Sequence, residues 1–555
     1  MKKIKNKNKK KNLIGNIAIA ILLFITIFLI GTIIKMDFMP FKYLFIVVLL
    51  LGIIEFALVW CIKKGKKNVR IITMIISLII SVVLSIITFN ILKTNSVLGN
   101  INLNYKVHNY SVLVLKDSDY KNIEDLDGKT LGYYDNNLDD SKDIISKIEE
   151  KISVDSILYN DINSTADALT SKEVEMIVLE DSYINMLDEE MNFWSLVRSV
   201  YEFKIKVKVE DVKRDVDVLN EPFNIYLSGI DTYGEISSVS RSDVNIILTI
   251  NPKTHQILLT SIPRDTYVQL SGTTGYKDKL THAGIHGVEK SISTIEEFLD
   301  IKINYYFKVN FTSVIDIVDT LGGVNAYSEY TFTSKDGYNY TKGYNYMNGA
   351  QALSFVRERY AFQEGDIQRG KNQQAMIEAI IRKCTSFSII SKYSSLLDSI
   401  NGKFATNMPT SKIMNLIKMQ LDGNYKWNIT SNYVSGVGEY RYTYSYPSQK
   451  LYVMIPDSDS ILKAKELIDK VELGDTLDSS YGEEQSGNYV TQTPIIEEIP
   501  DTSSEETPEI TDEEEMPEDN PLEDLLPNEE ETNTEEETTD TEEIPDIIED
   551  INGIE

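Results

Sequence analysis

The chain has 555 residues, more than one ordinary domain, and a formal net charge of −30. The acidity is local: residues 481–555 hold 29 Asp and Glu and no Lys or Arg, which leaves the rest near −1. Nucleic-acid binding by the folded part is disfavoured for want of a basic surface. Two cysteines in unlike surroundings, Cys61 in an apolar run and Cys384 after a basic pair, argue against a disulfide framework.

Three apolar runs open the chain, at 13–34, 43–62 and 71–92. Each approaches the roughly 20 residues that a membrane-spanning helix needs. Seven of the first twelve residues are lysine, and the second connection, 63–70, reads KKGKKNVR; the first connection holds only Lys35, Asp37 and Lys42. Positive connections stay inside. The pattern therefore predicts a multi-pass membrane region over 1–95 in contact with lipid, a cytoplasmic N-terminus, and the bulk of the chain outside. The first run is too long for a signal-peptide core, and no small-residue cleavage site follows before Met36.

Residues 100–205 read as a small α/β accessory domain. SVLVLK is a strand, DLDGKTLGYY a turn and a strand, SKDIISKIEEKI a helix, and INSTADALTSKEVEMIVLEDSYINML helix, turn, strand, helix. The last phrase and DLDGKTLGYY resemble one lobe of extracellular solute-binding proteins. A spacer or partner-docking role is an equal reading.

Residues 219–473 form a second α/β domain, with a sheet covered by helices on both faces. FNIYLSGID is a strand, and VNIILTINPKTHQILLTSIP is a hairpin around a turn at 251–254. EKSISTIEEFLD, TSVIDIVDTLG, GAQALSFVRE and KNQQAMIEAIIRK have helical periodicity. Residues 476–555, rich in Pro, Glu, Thr and Ser, bury too little apolar surface to order themselves and are expected to be a disordered acidic tail.

With the hairpin turn at 251–254, Arg241 lies opposite Arg264 and Asp243 opposite Ile262. Arg241 and Asp243, two apart, share a face. Pro263 ends the second strand, placing Arg264 and Asp265 in a loop at the sheet edge, where ligand sites gather. Facing arginines repel unless an anion lies between them. Plain ion pairing, Arg241 with Asp265 and Arg264 with Asp243, is the equal alternative. Further on, FVRERYAFQEGDIQRGKNQQ ends one helix at Arg357 and Arg359. It starts another near Asp366, a plausible N-cap, with Arg369 and Gln373 on one face. A helix start beside arginines suits phosphate oxygens. His282 and His286 have metal-ligand spacing but no evident third ligand. The tyrosines of 338–346 read as a loop packed on itself.

SGID, SRSDVNIILTINP, SIPRDTYV, YKDKLTHAG, DIVDTLGGV, NGAQALSFVRER and GDIQRGKNQQ follow one another in that order. Together they resemble the LytR-CpsA-Psr catalytic domain over about 224–382. The resemblance implies an α/β/α sandwich with a central mixed sheet and a phosphotransferase. That enzyme would move an anionic glycopolymer, of the teichoic acid or capsular polysaccharide type, from a polyprenyl-pyrophosphate carrier to peptidoglycan. It implies Mg²⁺ (or Mn²⁺) on Asp231 and Asp243, and pyrophosphate contacts from Arg241, Arg264, Lys279, Arg357, Arg359, Arg369 and Gln373. An apolar cavity would take the polyprenyl chain, Asp243 could act as base, and Asp265 could orient an arginine. Some members carry Arg where this chain has Asn372. Two alternatives remain at this level: hydrolysis of the same pyrophosphate, and a non-catalytic wall-sensing or regulatory membrane protein. Protein partners and oligomeric state are not legible.

Overall fold

The computed structural model describes residues 2–36, 39–99, 105–134, 138–209, 214–230, 232, 235–363, 365–386 and 404–477. The predicted tail falls almost wholly outside them. Helices α1 (Lys2–Met36), α2 (Phe41–Lys64) and α3 (Lys67–Gly99) come first. Each contains a stretch long and apolar enough to cross a membrane: Ile14–Lys35, Phe41–Lys64 and Lys67–Phe89. Large apolar side chains such as Phe24 and Phe56 point outward. The hydroxyls of Thr32, Ser81 and Thr88 donate to carbonyls one turn back, each at 2.8 Å, so they need no water. These features suggest membrane anchoring.

The accessory unit is a five-stranded sheet in the order β3-β2-β4-β1-β5. Its strands are β1 (Tyr105–Leu115), β2 (Lys129–Tyr134), β3 (Val154–Tyr159), β4 (Met176–Glu180) and β5 (Val197–Lys208). Side chains alternate between two cores. Val112, Val114, Met176 and Val178 meet α4 (Leu138–Glu149), while Leu113, Ile177 and Leu179 meet α5 (Ile162–Thr170) and α6 (Asp181–Met191). The second core also takes Ile285, Tyr446 and Leu451 from the next domain. Val107 N–H donates to Ser237 O, and Val239 N–H to Val107 O, at 2.9 and 2.8 Å. The accessory unit is thus stitched to its neighbour by both backbone and core.

The second domain is built on a six-stranded mixed sheet, β16-β11-β6-β7-β8-β17. Its central strands are β6 (Phe223–Ile230), β7 (Ser242–Asn251) and β8 (Gln256–Ser261). A short pair, β9 (Tyr267–Val268) and β10 (Asp278–Lys279), precedes the one-turn α7 (Leu280–Ala283) and α8 (Val288–Leu299). β11 (Tyr305–Val309) leads to α9 (Phe311–Thr320). Four short strands follow, β12 (Val324–Ser328), β13 (Phe332–Thr333), β14 (Asn339–Tyr340) and β15 (Gly343–Met347), and then α10 (Gly349–Arg357) and α11 (Asp366–Cys384). β16 (Phe404–Thr406), α12 (Thr410–Gly423), β17 (Asn428–Tyr433), the hairpin β18 (Gly436–Tyr442) and β19 (Lys450–Pro456), and α13 (Ser458–Leu473) complete it.

β6, β8, β11 and β17 run one way, while β7 and β16 run against them. Tyr226, Ile247 and Leu258 face α8 and α13, whereas Ile225, Ile246 and Leu259 face α11 and α12. This is the expected α/β/α sandwich. The two faces are not filled alike: Leu227, Val244 and Leu248, on β6 and β7, and Phe307, on β11, stay only partly buried beneath α11 and α12.

Candidate functional site

All four like-directed strands deliver their C-terminal ends, Ile230, Ser261, Val309 and Tyr433, to one edge of the sheet, where β7 begins at Ser242. The register there differs from the sequence expectation. Asn251 pairs with Gln256 and Ile246 with Ser261, two residues displaced from the pairing that would set Arg241 against Arg264. The Asn251 side chain accepts from Lys253 N–H at 3.0 Å and Thr254 N–H at 3.3 Å, and His255 takes a left-handed φ of 53°. The turn therefore spans 252–255, and Asp243 comes level with Arg264.

Arg264 Nη1 donates to Asp243 Oδ2 at 2.8 Å, and Thr281 Oγ donates to Asp243 Oδ1 at 3.0 Å. Gly284 makes the second contact possible: a Cβ there would lie 2.6 Å from Ser242 N and 2.7 Å from Ser240 O, so only glycine lets α7 approach β7 so closely. Burial raises the Asp243 carboxyl, but Arg264, Arg241 and Arg369 outweigh it and hold it below its ordinary value. Burial likewise opposes the charge of Arg264, yet Asp243, Asp265 and Glu189 bind its proton more tightly than usual. Arg264 Nη2 donates to Glu189 Oε1 at 3.0 Å, and Arg241 pairs with Glu189 Oε2. Lys279 Nζ lies 3.4 Å from Asp265 Oδ1 and 3.9 Å from Glu190 Oε1. Asp265 Oδ2 is 3.7 Å from Arg264 Nε, a buried donor without a hydrogen-bond acceptor among the described residues.

A small solvent-open cleft adjoins this cluster, lined by Asp243, Ser261, Arg264, Asp366, Arg369 and Gln373 among others. Arg369 pairs with Asp366 one turn back. Gly365, at φ 48°, is the N-cap of α11 rather than Asp366, which stands in its first turn. The loop needs a left-handed residue there, which glycine supplies at no steric cost. Gln373 lines the cleft, with its amide donating to Val356 O at 3.3 Å. Asn372 is buried, accepting from Gln368 and donating to Phe355 O at 3.1 and 3.3 Å; it ties α11 to α10.

The structure thus brings together Arg241, Asp243, Arg264, Asp265, Lys279, Arg369 and Gln373. Arg357 and Arg359 are not among the cleft's lining residues. The Arg357 guanidinium rests 4.4 Å from the Phe311 ring centre, and Arg359 donates to Tyr360 OH at 2.7 Å. Asp231 lies outside the described residues. His282 Nδ1 bonds Asp278 Oδ1 at 2.6 Å in the interior, and no group of three potential metal-ligating His, Cys, Asp or Glu occurs among the described residues. Tyr340 is buried and donates to Gln351 O at 2.7 Å, so that part of the tyrosine segment packs inward.

Sequence reading missed Thr281, although it stands in a quoted motif, and it missed Glu189 and Glu190. The signal for the glutamates was local: the last turn of α6 carries Asp188-Glu189-Glu190, where the helix dipole favours cations.

Fold and site together define an α/β/α domain, coupled to apolar helices, that gathers guanidinium groups about one carboxylate. The chain belongs to the LytR_cpsA_psr family, whose model matches residues 195–460. It is 37% identical over 215 residues to the polyisoprenyl-teichoic acid–peptidoglycan teichoic acid transferase TagU of Bacillus licheniformis, covering 39% of this chain and 69% of that one. The TagU of Bacillus mycoides is 38% identical over 208 residues, and the chain spans 66% of its length. B. subtilis TagV, a crystal structure, is 29% identical, with 46% of this chain and 99% of that chain covered and a TM-score of 0.39.

Proposed function

We propose that the protein transfers an anionic glycopolymer from a polyprenyl-pyrophosphate carrier to peptidoglycan. The observation that carries this reading is the convergence of Arg241, Arg264 and Arg369 about Asp243 at the strand ends, with Lys279 beside the neighbouring Asp265. Phosphoryl transfer calls for alignment and charge neutralisation more than covalent chemistry. Forked guanidinium donors fit phosphate oxygens in pairs, and Arg264 Nε is a buried donor with no hydrogen-bond acceptor among the described residues. The teichoic acid and peptidoglycan in the names of the TagU relatives support this class of donor and acceptor.

Asp243 offers hard oxygen atoms in the cleft and is held ionised by its arginines. It thus fits Mg²⁺, which binds one or two carboxylates and completes its shell with water and phosphate oxygens. Asp243, with Asp231 as its partner, would hold the ion, which would neutralise charge on the phosphates. Arg264 and Arg369 would grip the non-bridging oxygens. Asp265 would orient Lys279 and Arg264, and Asp243 would accept the proton of the acceptor hydroxyl.

The partly buried Leu227, Val244, Leu248 and Phe307 offer an apolar bed for a polyprenyl tail. α12, one wall of that bed, ends against α2, where Lys42 Nζ meets Asp422 Oδ1 at 3.0 Å and Tyr43 OH donates to Leu421 O at 3.3 Å. The bed would thus open toward lipid. The lysine-rich start and the 63–70 connection would place the catalytic domain outside.

The test uses the full chain in detergent micelles with a polyprenyl-pyrophosphate glycan, with and without peptidoglycan oligomers. Glycan linked to the oligomer, and lost in Arg264→Ala, is expected. Phosphate release that ignores the oligomer would make the protein a hydrolase, and no turnover would leave a binding or sensing protein.

A further inference from the structure

The arginine cluster already holds an anion, and the anion comes from the accessory unit. Glu189 lays one carboxylate oxygen against Arg241 and the other 3.0 Å from Arg264 Nη2, while Glu190 stands 3.9 Å from Lys279. This is the forked, two-oxygen arrangement that a phosphate would adopt on the same donors. Three consecutive acids in the last turn of α6 run against the helix dipole. Asp188 is accounted for, since it accepts from Trp194 N–H at 2.7 Å. Glu189 and Glu190 have no such local partner in α6; their compensation lies across the domain boundary. Breaking a local rule in favour of a distant contact marks a functional position.

We propose that Glu189 and Glu190 are built-in competitors for the donor's pyrophosphate, so that the donor binds only as the Glu189 carboxylate leaves Arg241 and Arg264. The inference rests on the reading of this cleft as the pyrophosphate seat. The side chain moves, not the domain. Ile285, Tyr446 and Leu451 share the accessory core and Val107 is hydrogen-bonded to Ser237 and Val239, whereas the Glu189 side chain is 37% exposed and has room to swing out. The consequence is selectivity. A ligand with a single weak charge does not repay the displaced pair, while a doubly charged phosphate anhydride does. Apparent affinity is then the intrinsic affinity reduced by the fraction of molecules whose seat is open.

The test titrates inorganic pyrophosphate into the full chain in micelles, comparing wild type, Glu189→Gln, Glu189→Ala, Glu190→Gln and Arg264→Ala, with melting temperatures as the check on folding. Glu189→Gln and Glu189→Ala should bind about tenfold more tightly, Glu190→Gln by a smaller factor, and in transfer assays Glu189→Gln should lower KM for the lipid-linked donor. Unchanged or weaker binding in a normally melting Glu189 variant overturns the proposal. So does a fall in kcat without a fall in KM, which would make Glu189 a positioning residue for the reaction. If wild type and Arg264→Ala bind pyrophosphate alike, it is the reading of the cleft itself that fails.

Discussion

Two groups of arginines invite the same expectation and meet opposite physical settings. At the start of β7 and the end of β8, Arg241 and Arg264 are nearly buried, and their side chains share Glu189 between them. At the end of α10 Arg357 is exposed, and in the loop before α11 Arg359 is half-buried; both guanidinium groups lie by aromatic rings, those of Phe311 and Tyr360. The first group cannot be neutral and cannot be alone: its charges are desolvated, so an anion must stay close, whether carboxylate or phosphate. The second keeps its water and is at liberty to reorient. A clamp built from both would have a fixed jaw and a mobile one, the fixed jaw defining where the phosphate sits and the mobile one closing when it arrives.

The largest expected effect separates the two jaws. Arg264→Ala removes a forked donor and strands Asp243 and Glu189, so transfer should fall by about three orders of magnitude and stability by about 3 kcal/mol. Lysine at 264 should restore much of the stability and little of the transfer, because a point charge lacks the fork. Arg357→Ala should leave the unfolding free energy within about 1 kcal/mol of wild type while raising KM for the donor severalfold. Equal losses of stability at both positions, read from denaturant melts, would erase the distinction between jaws. A smaller effect refines it: Thr281→Val withdraws one hydrogen bond from Asp243 Oδ1, costing about 1 kcal/mol of stability. It should lower kcat by about tenfold if Asp243 orientation matters to the chemistry.

Much of the scaffold was legible because it depends on short-range periodicity. β7 and β8 announce themselves as apolar, β-branched runs, and the helices as apolar stripes with a period near four. The register was not legible to the residue, because it turned on the Asn251 side chain capturing two backbone N–H groups and on His255 adopting a left-handed conformation. Neither is visible in hydrophobic pattern. Arg264 and Asp243 could be placed near one another, but Glu189 could not, since the contact spans two domains and 75 residues of sequence. Arg357 and Arg359 illustrate the converse: motif order predicts their neighbourhood, and only coordinates show that they rest against rings rather than in the ion-pair network.

A half-buried cation outside the cluster sharpens the contrast between company and isolation. Lys308, near the end of β11, donates to the Ser238 carbonyl at 2.7 Å. Burial pushes its ammonium down from 10.5 to about 8; Glu289 opposes the shift and Lys106 adds to it. Arg264, with three carboxylates about it, is shifted the other way. Since the folded value for Lys308 lies below the unfolded one, the folded state releases this proton first, and stability from this group rises as pH climbs from about 8 toward 10.5. Below that window the desolvated charge costs its full penalty. Urea melts of wild type and Lys308→Met should therefore differ by a constant amount between pH 6 and 7.5, and the difference should shift in favour of wild type by about 1 kcal/mol or more near pH 9.5. A pH-independent difference would mean that Lys308 keeps its proton as firmly as an arginine does. Burial without matching carboxylates would then not be what distinguishes it from the jaw at Arg264.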